Sequence, residues 1–376
     1  MSIYLDNAAT TPLDPAVFTA MTPHLLANFG NPSSQHRYGR EAKATLEQCR
    51  KTIAGLIGAD AEEITFTSGG TEADNLAIVS AVTCGKIDHV ITTAFEHPAV
   101  LQTLKSLSKQ YHTRISYVKY NEFGDLDLDH LEYLLRTNTR NLVTIMHANN
   151  EIGNLNDIDT IGKLCEKYNA IFHTDAVQTM GHVSFDLSIR NIHYLAASAH
   201  KFHGPKGVGF LYCRKGAHLT RLIHGGGQEK QARAGTENLA GIVGLAKALE
   251  LAYAGRHDHQ EHIQQLKNKL ISDLVSLVPQ IRFNGRSASF DKSIYTVLSA
   301  SFAGGGVNLI NYLDTEGIAV SGGSACCTGS ASSVLQALGT DPKRTTIRFS
   351  FSRFNTTEDI DQVIEKLAAI YQVVAA

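Results

Sequence analysis

The sequence predicts an α/β protein, a mostly parallel sheet with helices on both faces plus a smaller α+β domain, and three observations carry this. Short β-branched runs recur at 64–67, 89–93, 114–119, 142–147, 170–174, 194–198 and 208–213, with amphipathic segments such as 72–82, 99–109, 128–136 and 158–168 between most of them. That alternation is what strands joined by crossover helices produce. After two long helices, 236–254 and 259–278, the texture changes: strands at 294–302, 318–321 and 346–352 mix with helices near 306–315 and 357–374. Finally, 376 residues is long for one core. The break at 254–258 divides the chain into a large domain, 15–257, and a small one of 1–14 with 258–376, which carries a Gly/Ser-rich loop at 321–333.

At the N-terminus, residues 4–12 read as an extended entry, and Asp14-Pro15 opens a helix with Asp as cap and Pro at the first helical position. After a loop at 30–36, a long helix runs to about Gly58, with Ala42, Leu46, Cys49 and Ile53 at helical spacing.

Composition excludes several classes. Hydrophobic content of 43% and charged content of 19% describe an ordinary globular protein. A net charge of −2 without a basic block argues against a nucleic-acid surface. No apolar run is long enough to span a membrane and no signal peptide is apparent, so a cytoplasmic location is expected. The six cysteines are scattered, none in a Cys-x-x-Cys pair, and read as reduced thiols rather than a zinc site. The cluster His257-Asp-His-Gln-Glu-His262 reads as a solvated helix end, so no metal is expected.

Ligands of an open α/β sheet bind at the carboxyl ends of its strands, and polar, turning residues follow nearly every strand. Ser68-Gly-Gly-Thr71 runs straight into a helix, whose free N–H groups suit a phosphate. His97, after the next strand, is a base, an aromatic lid or a helix cap. Asn149 and Asn150 are two amides suited to a carboxylate or phenolate. Asp175 ends an apolar strand and requires a cation. Lys201, between His200 and His203 at another strand end, suits an amine nucleophile. A phosphate cradle, a Schiff-base lysine, a carboxylate for a protonated ring nitrogen and Gln178 for a phenolic oxygen together describe pyridoxal phosphate. In the small domain, the loop 321–333 holds Cys326 and Cys327, placing a thiol where a nucleophile that must move would sit. Adjacent α-carbons about 3.8 Å apart are too close for the usual disulfide. Arg348 lies inside a strand and wants a carboxylate, either a substrate's or a structural one.

With these residues in hand, the chain resembles the cysteine desulfurases, the NifS/IscS-like branch of the class V aminotransferases. The resemblance runs nearly end to end, through Tyr4-Leu-Asp-Asn-Ala-Ala-Thr-Thr, Gly30-Asn-Pro-Ser-Ser, Thr67-Ser-Gly-Gly-Thr-Glu-Ala-Asp-Asn, Asn149-Asn-Glu-Ile-Gly, His173-Thr-Asp-Ala-Val-Gln, Ser198-Ala-His-Lys, His224-Gly-Gly-Gly-Gln-Glu, Arg233-Ala-Gly-Thr, Gly323-Ser-Ala-Cys and Ile347-Arg-Phe-Ser. It implies a fold-type I pyridoxal-phosphate enzyme, dimeric, that takes sulfur from L-cysteine, releases L-alanine and leaves a persulfide on Cys326 for a protein acceptor such as an iron–sulfur scaffold or a thiolation carrier. It further implies that Lys201 holds the cofactor covalently, that His97 stacks on the ring and assists proton transfers, that Asp175 pairs with the ring nitrogen and that Gln178 contacts the phenolic oxygen. Gly70, Thr71, Ser198 and His200 would bind the phosphate, Thr236 would reach the phosphate of the neighbouring subunit, and Asn150 and Arg348 would hold the substrate carboxylate. The chain departs from the pattern at Ser321-Gly-Gly-Ser-Ala-Cys, in a shorter segment after Cys326 and in the extra thiol of Cys327, which leaves the acceptor open. A selenocysteine lyase or another class V pyridoxal-phosphate enzyme, such as an aminotransferase, is the alternative.

Overall fold

The computed structural model describes residues 2–303, 308–322 and 332–374. In chain order, the first half contains β1 (Ile3–Tyr4), α1 (Pro15–Leu26), α2 (Arg37–Ile57), β2 (Ile64–Thr67), α3 (Gly70–Cys84), β3 (His89–Thr92), α4 (Pro98–Tyr111), β4 (Arg114–Tyr117), α5 (Leu128–Thr137), β5 (Asn141–Thr144), α6 (Ile158–Lys167), β6 (Ile171–Asp175), β7 (Tyr194–Ser198) and β8 (Gly209–Cys213). Helix starts follow local chemistry. The Asp14 side chain accepts from Ala16 N with Pro15 in the first turn, and Asp127 and Asp157 cap α5 and α6 in the same way. Gly58 ends α2 with φ 66°, a left-handed conformation that suits glycine.

Seven strands form one sheet in the order β2-β8-β7-β6-β5-β3-β4. From β7 to β4 every neighbour is parallel, whereas β8 runs antiparallel to both β2 and β7. The expected mostly parallel sheet is therefore present, with β8 as the reversed strand. Strands β2, β3, β5 and β7 are buried along their whole length, as strands covered by helices on both faces must be. The edge strand β4 exposes Arg114 and Tyr117 instead. Helix α3 is buried on most sides, among Ala73, Leu76, Ala77, Ile78 and Ala81, so its one buried carboxylate, Asp74, sits in an apolar setting.

The second half contains α7 (Leu239–Ala254), α8 (Arg256–Leu277), β9 (Arg282–Phe283), β10 (Val297–Phe302), α9 (Leu309–Thr315), β11 (Ile318–Ala319), α10 (Ser333–Ala337), β12 (Thr345–Ser350) and α11 (Thr357–Val374). Here β10 lies between β9 and β12, antiparallel to both, and β1 pairs with β11 in parallel. A separate apolar core gathers Ile3 and Leu5 with Leu270, Leu298, Phe349 and Val363. Chain ends more than 340 residues apart thus share one core, through contacts such as Ser350 N donating to Leu5 O at 2.7 Å. Two boundaries differ from the sequence reading. Helix α3 starts at Gly70, because the glycine turn leads directly into it, and α7 starts only at Leu239, leaving Thr236 in the preceding loop. The histidines at 257–262 lie on α8, and among the described residues no three or more His, Cys, Asp or Glu side chains are grouped so as to hold a metal ion.

Candidate active site

The carboxyl ends of β2, β3, β5, β6 and β7 converge on one cavity of about 200 Å³. After β2, Gly69 takes φ 155° and Gly70 starts α3. A Cβ on Gly70 would lie 2.5 Å from Val177 Cγ2, and one on Gly209 would lie 2.8 Å from Gly69 Cα, so both glycines permit approaches that a side chain would block. Gly70 and Thr71 line the cavity, which therefore meets the N-terminal end of α3, where backbone N–H groups lack helical acceptors.

After β3, His97 takes the helix-cap role and also lines the cavity. Its Nδ1 accepts from Ala99 N at 3.1 Å, capping α4. That bond makes Nδ1 the acceptor and assigns the ring proton to Nε2 in the neutral form. After β5, the two adjacent amides separate. Asn149 is engaged by its own turn, its Oδ1 accepting from Glu151 N and Ile152 N while Nδ2 donates to Phe95 O, whereas Asn150 lines the cavity. At the end of β6, Asp175 Oδ1 accepts from Val177 N at 2.9 Å, and Gln178 Nε2 donates to Ala8 O at 3.1 Å. At the end of β7 come Ser198, His200 and Lys201. The Lys201 amine donates to Ala8 O at 2.6 Å and Ala9 O at 2.8 Å, and His200 Nδ1 lies 3.1 Å from Thr10 Oγ1.

Arg348 enters from β12 and is 1% exposed. Its Nη1 donates to Asn150 O and its Nη2 to Asp6 Oδ1, both at 2.8 Å, while its buried Nε has no acceptor. The structural ion pair and the cavity position are both real: one side of the guanidinium is held by Asp6, and the residue still lines the cavity. Of the residues picked out from the sequence, ten share this cavity: Gly70, Thr71, His97, Asn150, Asp175, Gln178, Ser198, His200, Lys201 and Arg348. Thr236 does not; it is exposed, in the loop between β8 and α7. Cys326 and Cys327 lie outside the described residues. The chain on either side of them is fixed to the cavity walls. Ser321 exchanges two backbone hydrogen bonds with Arg348, and Ser332 caps α10 while its hydroxyl donates to Glu151, next to Asn150.

Sequence reasoning missed the carbonyls of Ala8 and Ala9, which a backbone role hides, and Asp74, which also lines the cavity. A lone carboxylate inside the apolar run 73–82 was the available signal.

Burial dominates the electrostatics. It raises the Asp175 carboxyl, while His97 and Lys201 pull it back down. It lowers His97, opposed by Asp175, and pushes His200 down to about 4, with Lys201 and Lys206 adding to the effect. The histidines of the site are accordingly neutral at pH 7.

The donor set fits pyridoxal phosphate on structural grounds: a helix N-terminus behind a glycine that Val177 leaves no room to enlarge, a buried carboxylate at a strand end and a lysine amine opening on one cavity. Comparison with known proteins agrees. Residues 3–363 match the family described as aminotransferase class-V. A cysteine desulfurase IscS of Dictyoglomus turgidum is 43% identical over 98% of this chain and 94% of its own length. A cysteine desulfurase of a Nostoc species is 43% identical over 98% and 93%. Among solved structures, a NifS-like protein superposes with a TM-score of 0.91 at 37% identity, covering 99% of this chain and all of its own. A structure described as SspA in complex with cysteine gives 0.82 at 31%, over 94% of this chain and all of its own. The chain belongs to the class-V aminotransferases and, among them, to the cysteine desulfurases, which work with pyridoxal phosphate.

Proposed function

We propose that this cavity takes L-cysteine, with Lys201, Arg348 and Cys326 as the three groups that act on it. The observation that carries the reading is that a lysine amine and a buried, incompletely paired arginine open on the same small space, which suits a free amino acid bound by its carboxylate. Gly70, Thr71, Ser198 and His200 would hold the phosphate of pyridoxal phosphate, Asp175 its ring nitrogen, Gln178 its phenolic oxygen, His97 the face of its ring, and Lys201 its aldehyde carbon. Bound there, the cofactor supplies an electron sink for negative charge on the substrate's α-carbon.

The chain's own residues do the rest. Arg348, fixed by Asp6, and Asn150 orient the substrate carboxylate and so aim the α-hydrogen. Lys201 takes that proton as a neutral amine, and the carbonyls of Ala8 and Ala9 hold its nitrogen in place. His97 presents its Nε2 side for proton transfer because Nδ1 is occupied by the cap. The thiolate of Cys326 bonds to the substrate sulfur, the carbon–sulfur bond breaks with its electron pair going to carbon, and protonation of that carbon together with return of the α-proton from Lys201 releases L-alanine. The persulfide left on Cys326 passes to a protein acceptor, in iron–sulfur assembly or in thiolation. We place the enzyme in the cytoplasm, as a homodimer in which Thr236 completes the phosphate site of the other subunit; its exposure outside its own cavity supports this. The two apolar cores support a large domain of 15–257 and a small one of 1–14 with 258–376.

The deciding experiment supplies L-cysteine and L-selenocysteine separately to protein loaded with pyridoxal phosphate, measures alanine, and maps persulfide by mass spectrometry. Cys326→Ser should abolish the persulfide and Cys327→Ser should not. Alanine formed from L-cysteine without sulfur on Cys326 would overturn the reading. For the dimer, mixing Lys201→Ala with Thr236→Ala chains should restore activity that neither has alone, because one hybrid site is then intact.

A further inference from the structure

The reaction above gives Asp74 no task, although it lines the cavity and is 1% exposed. Its Oδ1 lies 3.3 Å from Nε2 of His173, and neither atom makes a hydrogen bond. The other ring nitrogen of His173 lies 2.8 Å from Thr144 Oγ1. His173 and Asp175 are two apart on β6 and so project from the same face. Helix α3 packs across that face, which brings Asp74, His173 and Asp175 into one buried group.

Three carboxylates sit close together here: Asp175 raises both Asp74 and Glu96, and Glu96 adds to the effect on Asp74. Low-dielectric surroundings do not hold three such charges without cations. Two of them have support. Glu96 accepts from the Thr93 hydroxyl and from Met146 N, although burial still pushes it up to about 8 and leaves it protonated at pH 7, and Asp175 accepts from Val177 N and faces His97 and Lys201. Asp74 has neither a donor nor a cation, and its neighbours by charge are Asp175 and Glu96, so its carboxyl is held well above the usual range, first by burial. His173 does not take the proton in its place, because burial pushes it down to about 3.

We infer that Asp74 is a positioning residue: a neutral carboxylic acid, its O–H directed at His173 Nε2, that leaves the negative charge of the site on Asp175, where the ring nitrogen of the cofactor needs it. The His173 Nδ1–H then donates to the Thr144 hydroxyl, and each buried polar atom of the row gains a match. This rests on the reading of Asp175 as the ring-nitrogen group.

Asp74→Asn tests it, since an amide is neutral and still offers an N–H to His173. The wild-type folded chain keeps a proton that the unfolded chain releases above about pH 4, so it loses stability as pH rises. In cofactor-free protein the Tm of Asp74→Asn relative to wild type should therefore climb between pH 5 and 8, by about 2 °C per pH unit. With pyridoxal phosphate bound, the absorbance spectrum of Asp74→Asn should match wild type across that range, while Asp175→Asn should shift it. If Asp74→Asn does not fold, wild-type protein labelled with carboxyl-¹³C aspartate and loaded with cofactor decides by NMR: one aspartate should remain protonated at pH 7. A Tm difference independent of pH, a spectrum displaced as far as that of Asp175→Asn, or every aspartate titrating below pH 5 would each overturn the inference alone. A wild-type spectrum from Asp175→Asn would instead overturn the reading of Asp175, and this inference with it.

Discussion

The two walls of the cavity are built by opposite means. On the sheet side, His97 and Asp175 are tied to backbone only two residues away, at Ala99 and Val177, while Lys201 and Gln178 also reach the carbonyls of Ala8 and Ala9. On the other side, Arg348 is held by Asp6, 342 residues distant, and by the Asn150 carbonyl, 198 residues distant. The cap of His97 and the turn of Asp175 are complete once their strands and turns form, whereas Lys201 and Gln178 also need the N-terminal segment. The second wall exists only after the N-terminal segment, β12 and the turn after β5 have met. The difference teaches that, in the proposed site, the cap of His97 and the turn of Asp175 can form without the contacts that seat Arg348.

The largest expected effect is on the sheet wall. Lys201→Ala should lower alanine production by at least about 10³-fold, because the group that moves the proton is gone, and borohydride reduction should no longer fix cofactor to the chain. If activity persisted, the sheet wall would not be the catalytic one. On the far wall, Arg348→Gln should raise KM for L-cysteine about 10- to 100-fold while the cofactor absorbance stays as in wild type, the cost of one charge-assisted pair. A change of absorbance there would mean the walls are not independent. Asp6→Asn, which only loosens the arginine, should raise KM several-fold at most.

A smaller effect separates the walls by pH. His147, His173 and His182, all behind the sheet wall, are pushed down to about 3, 3 and 4 by burial. Between pH 6.5 and 4 the unfolded chain takes up protons that the folded chain refuses, so stability is lost as pH falls through that window. Lys267, which donates to Ser293 and Ile294 in the other core, is pushed down to about 7, and its penalty is relieved only as pH rises from 7 toward 10.5. Scanning calorimetry should find that His147→Gln reduces the acid-side loss of Tm and leaves the alkaline side alone, and that Lys267→Met does the reverse.

That contrast also explains what could be read in advance. The strands, the glycine turn and the sheet-wall residues were legible because each depends on a few consecutive positions: a β-branched run, a Gly-Gly turn before a helix, a polar residue at a strand end. Arg348 was legible as a buried arginine, but its fixing by Asp6 was not, because no local pattern links residues 6 and 348. Nor could spacing tell Asn149 from Asn150: which amide closes its own turn depends on Phe95, on a different loop. The reversal of β8 escaped for the same reason, since a strand's direction is set by its neighbours in space.

The anchors on either side of the cysteine loop set a limit of another kind. Ser321 is pinned to Arg348 and Ser332 to Glu151, and Cys326 lies five residues from one and six from the other. A chain spans at most about 3.6 Å per residue, so the α-carbon of Cys326 cannot move farther than about 18 Å from that of Ser321. Under the proposed function that radius also limits the reach of a sulfur carried on Cys326, so an acceptor would have to bring its receiving thiol within that reach.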